Sequence, residues 1–142
     1  MAVITVCLLA GGSILFRSQR GKPILQPDLA ELRFFETWRA GQSDRRLLGR
    51  WLGSALPVLW VAVTKDSLEV GPRFPLNLLF VAEAFGWDHS VPGRSIVDIR
   101  ETSRLGAVAI RYRHRTGDLE LLKLSVHDRA ALVTALRAIQ LS

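Results

Sequence analysis

Residues 106–140 limit what this chain can fold into more than any other stretch, because they read as two strands and a closing one-faced helix. In residues 107–115, Val108, Ile110 and Tyr112 alternate with Arg111, Arg113 and Arg115. That is the period-2 pattern of a strand with one face buried and the other wet. Thr116, Gly117 and Asp118 supply turn chemistry, with glycine free to take positive φ. In residues 119–126, Leu122, Leu124 and Val126 share a face, while Lys123 and Ser125 point the other way. Asp128 stands at the N-cap position, where a short carboxylate accepts from the open amides of a first helical turn. Beyond it Leu132, Leu136 and Ile139 recur at i, i+4 and i+7, and Val133 widens the stripe. A helix with one apolar face needs a sheet to lie on. The spacing therefore predicts that strands earlier in the chain are covered by a helix over residues 129–140.

At 142 residues the chain is long enough for one domain with an appendage. With 49% of residues apolar it has the material for a core, which excludes wholesale disorder. A single cysteine, Cys7, excludes an internal disulfide framework and a cysteine-based zinc site. The charge balance is basic, 19 Lys and Arg against 13 Asp and Glu, and 16 of the 19 are arginine. Such a balance suits an anionic partner, a lipid surface or nucleic acid. The competing reading is a solvated surface with no partner.

Residues 2–16 contain no charge. As a helix they would span roughly 22 Å, against a hydrocarbon core of about 30 Å. Three readings compete: a short anchor helix, a soluble hairpin turning at Gly11 and Gly12, and a signal peptide. Only the amine of Met1 precedes the run, whereas Arg17, Arg20 and Lys22 follow it. That placement favours the anchor, with the basic cluster on the cytoplasmic side. Pro23 and Pro27 mark a linker. Phe34 to Trp38 has strand composition, and Gly41 to Asp44 reads as a turn. The mixture of arginine and leucine between Arg45 and Leu52 reads as a connection whose leucines plug the core, or as a surface-seeking stretch. Residues 59–64 and 68–70, joined by Lys65-Asp66-Ser67, form the clearest hairpin. Residues 77–86 read as a short helix or turn, residues 88–92 as a brief extended piece, and residues 94–100 as a further strand.

Motifs for catalysis are absent: there is no HExxH, CxxC, GxGxxG, Walker loop or G-x-S-x-G. His89, His114 and His127 lack metal-ligand spacing, so neither a metal nor a cofactor is expected. Asp88, His89 and Ser90 are adjacent, and adjacent residues cannot form a hydrolytic triad. A site assembled from Glu83, His89 and Asp98 has no spacing argument behind it, so an enzyme is not expected. The one constellation with binding chemistry is Arg111, Arg113 and Arg115. Three guanidiniums spaced about 6–7 Å apart on one strand face can engage phosphates. Alternatively they are a solvated face paired with Asp98, Asp118 or Glu120. Tyr112 lies on the opposite face and the four tryptophans fall at core positions, so the stacking platforms of nucleic-acid binding are missing. Lipid headgroup or protein is preferred.

Several strands followed by a capped amphipathic helix resemble the pleckstrin-homology (PH) superfold and its GRAM-like relatives. The likeness is most specific in residues 73–80 (RFPLNLLF), supported by residues 52–64 and 89–92, and it covers roughly residues 34–139. These stretches are similar to an uncharacterised group of bacterial PH-like proteins with an N-terminal membrane segment. The resemblance implies an α+β domain, a bent antiparallel sheet of about seven strands capped by a C-terminal amphipathic helix, preceded by an apolar transmembrane helix. On that reading residues 1–20 are the anchor, 21–33 the linker and 34–142 the PH-like domain. It implies no activity. The function expected is a non-enzymatic, single-pass, membrane-tethered binding module, its domain on the cytoplasmic face of a bacterial membrane and its partner a membrane lipid or membrane-associated protein. The alternative is a soluble interaction domain whose N-terminal segment completes its own sheet or a dimer interface.

Overall fold

The computed structural model describes residues 19, 31–43, 59–72, 89–102 and 106–142, among which lie seven strands and a C-terminal helix. The strands are β1 (Phe34–Ser43), β2 (Leu59–Val63), β3 (Ser67–Pro72), β4 (His89–Pro92), β5 (Ile96–Thr102), β6 (Ala107–Arg113) and β7 (Leu119–Ser125); the helix α1 spans Arg129–Gln140. Every ladder is antiparallel, in the order β4-β3-β2-β1-β7-β6-β5. The fold is α+β, with a helix on one side of a single sheet. Among the described residues no helix is long and apolar enough to cross a membrane. The expected anchor, with Arg17, Arg20 and Lys22, lies outside the described residues, as do residues 45–52 and 77–86.

β1 is the hinge of the sheet. Its first half pairs with β2, from Phe34 opposite Val63 to Arg39 opposite Leu59, with an irregularity between Thr37 and Arg39. Its second half, Ala40 to Ser43, pairs with Ser125 to Leu122 of β7. The expected turn at Gly41 to Asp44 is therefore corrected over its first three residues, which belong to the strand. Glycine serves there for close approach: a Cβ on Gly41 would meet Leu59 Cδ1 at 2.7 Å and Leu124 Cδ2 at 3.2 Å.

The sheet must curl. β4 and β5 stand at its two edges, six ladder steps apart, which is about 29 Å in a flat sheet. Only the single 3₁₀ turn Gly93–Ser95 joins them, and that reaches at most about 15 Å. The two edges therefore meet at one corner. α1 plugs the curl, touching β1 and β2 on one half and β5 and β6 on the other. Its buried residues are Leu132, Val133, Ala135, Leu136 and Ile139, packed with Val61, Val63, Leu68, Val108, Ile110, Leu122 and Leu124. At the corner, Gly93 donates its amide to the Asp66 carbonyl at 2.8 Å, and Gln140 Nε2 donates to the Ile96 carbonyl at 3.0 Å. A Cβ on Gly93 would lie 2.1 Å from the Ile139 carbonyl oxygen, so helix and corner are in backbone contact.

Candidate functional site

Residues of β6 alternate strictly. Val108, Ile110 and Tyr112 are buried, and Arg111 and Arg113 are exposed. Burying the apolar set against α1 and the sheet forces the arginines outward, because successive side chains point to opposite faces. Arg115 follows in the β6–β7 turn and is exposed. Across the ladder Arg111 stands opposite Leu121, Arg113 opposite Leu119, and Ala109 opposite Lys123. The three expected arginines thus belong to a wider outer face that includes Lys123, Leu119 and Leu121. Sequence reading set Lys123 outward but did not join it to the stripe. The signal was present, since residues 119, 121 and 123 alternate with the buried Leu122 and Leu124.

The carboxylates expected to neutralise the stripe are engaged elsewhere. Asp98 lies opposite Arg111 in the ladder, yet its Oδ2 sits 2.6 Å from Arg100 Nε. Asp118 Oδ2 accepts from Thr116 Oγ1 at 2.8 Å. Glu120 accepts from the Tyr112 hydroxyl. Among the described residues no carboxylate pairs with Arg111, Arg113, Arg115 or Lys123. What the arrangement offers is a set of exposed donors two residues apart, on adjacent strands, with leucines between them.

A buried polar chain crosses the interior. His89 of β4 is 2% exposed, and its Nδ1 lies 2.9 Å from the Tyr112 hydroxyl on β6. That hydroxyl in turn donates to Glu120 on β7. The rings meet edge to face, with centroids 6.1 Å apart. The chain ties β4 to β6 and β7. Asp98 stands across the ladder from Arg111, which points away from Tyr112, so His89 and Asp98 lie on opposite faces of the sheet. Glu83 lies outside the described residues. Ser90 points outward, and its Oγ donates to Glu69 Oε1 at 2.7 Å. This is a hydrogen bond between neighbouring strands.

An open cleft of about 650 Å³ lies between the β2–β3 turn, the β4–β5 corner and the end of α1. Lys65 and Arg94 line it, and so does Asp66. The carbonyl end of α1, with its partial negative charge, faces the same space, so the cleft has no clear preference of sign. Among the described residues no group of three His, Cys, Asp or Glu side chains converges to hold a metal ion. The chain matches no protein-family model and no curated protein, which leaves its own residues to carry the functional argument.

Proposed function

We propose that the chain is a non-enzymatic, PH-like binding module tethered to the cytoplasmic face of a bacterial membrane, where its domain engages an anionic partner. The observation that carries this reading is the outer face of β6 and β7, on which Arg111, Arg113 and Lys123 stand exposed and, among the described residues, without carboxylate partners. A curled seven-strand antiparallel sheet closed by a C-terminal helix is also what the PH-like resemblance implies. Fold alone does not choose a ligand, but the net charge of +6 selects for an anion. The uncharged residues 2–16, with Arg17, Arg20 and Lys22 behind them, supply the tether. A tether raises the local concentration of the domain at the bilayer, so weak contacts suffice.

Fractionation of cells making the full-length chain tests the reading. The protein is expected in the membrane pellet, resistant to salt and released by detergent. Full-length protein in the soluble fraction without detergent would remove the tether from the account.

A further inference from the structure

We infer that the outer face of the β6–β7 hairpin docks flat on an anionic bilayer, with Leu119 entering the interface and the surrounding cations on lipid phosphates. The inference rests on the membrane reading above and adds to it which face meets the lipid. Four observations carry it. First, the cations form a plane: Arg111, Arg113 and Lys123 occupy two adjacent strands, and Arg115 extends the set into the turn. Second, an apolar group sits among them. Leu119 is 54% exposed and lies opposite Arg113, a mixture of apolar anchor and cation that suits a membrane interface.

Third, the hairpin tip has space around it: Gly117, at φ +93°, has nothing within 4 Å of where a Cβ would stand. Fourth, the cations are spread over two strands and a turn, apart from the cleft at Lys65 and Arg94, an arrangement that matches an extended anionic surface better than one small anion. Tyr112 points into the core and gives this face no platform for stacking on bases.

The test uses the full-length chain carrying Cys7→Ser and Leu119→Cys, incubated with vesicles of phosphatidylcholine alone or mixed with phosphatidylglycerol. A water-soluble maleimide reports the reactivity of the introduced thiol, and the same chain with Leu141→Cys in place of Leu119→Cys serves as control, since Leu141 is 87% exposed. On phosphatidylglycerol vesicles the thiol at position 119 is expected to react about tenfold more slowly than on neutral ones. The thiol at 141 keeps its rate. Arg111→Glu with Arg113→Glu, or high salt on the unreversed chain, returns position 119 to the fast rate. Vesicle-bound protein whose position 119 reacts equally fast on both lipids overturns the docking face while leaving the tether intact. Protection that is equal on neutral lipid, or shared by position 141, overturns it too. Protection seen only in native membranes and lost after protease treatment assigns the face to an acidic protein, against this inference. No retention on either vesicle defeats both the tether and the docking face.

Discussion

Both carboxylate oxygens of Glu36 accept backbone amides just ahead of α1, from His127 and Asp128, each at 2.9 Å. Arg39 Nε lies 2.5 Å from the same carboxylate as an ion pair. One side chain on the first strand thereby fixes where the last helix begins. Hydrogen bonds to a charged acceptor are worth about 1.5–3 kcal/mol, and an amide left without one carries a cost of its own. Glu36→Ala is expected to lower stability by about 2 kcal/mol, and Glu36→Gln, which keeps one acceptor, by about half as much. Urea unfolding with an unchanged slope measures both; a midpoint that does not move would show that the clamp carries no stability. Nothing in the sequence pointed to this role, because Glu36 and the two amides it accepts are distant in the chain and only the curl brings them together. Asp128 was legible for the opposite reason. Its acceptor role is local, and its carboxylate takes the Ala131 amide at 2.9 Å as the spacing predicts.

Among elements, those with one wet face were legible. The alternation in β6 and β7 and the i, i+4, i+7 stripe of α1 record burial directly, and the helix spans residues 129–140 as expected. β1 was half legible. Its second half carries Gly41, which reads as punctuation until Leu59 and Leu124 are seen packed over it. β2 is buried along its whole length, so alternation carries less information there. For the candidate site, the three arginines were legible from their period, whereas the diversion of Asp98, Asp118 and Glu120 to other partners was not. α1 should owe its place to packing more than to its cap. Leu136→Ala is expected to cost about 2–5 kcal/mol, and Asp128→Ala about 1 kcal/mol, both read from denaturation midpoints. Equal costs would mean that the helix is held by its local start and not by the sheet.

For the whole molecule the decisive joint is the corner at Gly93, where two sheet edges and the end of α1 converge. Gly93→Ala forces a methyl against the Ile139 carbonyl, and backbone cannot yield as a flexible side chain does. The expected cost is about 1–3 kcal/mol, with faster amide exchange in the last turn of α1 and at the start of β5. Exchange as slow as in the parent chain would relocate the joint. The shared strand has a different consequence, one of timing. β1 is synthesised before β7, yet the ladder for Ala40 to Ser43 is supplied by β7. A nascent chain stalled before Leu119 therefore holds an unanswered strand edge, which makes it a client for chaperones and a seed for aggregation until β7 emerges.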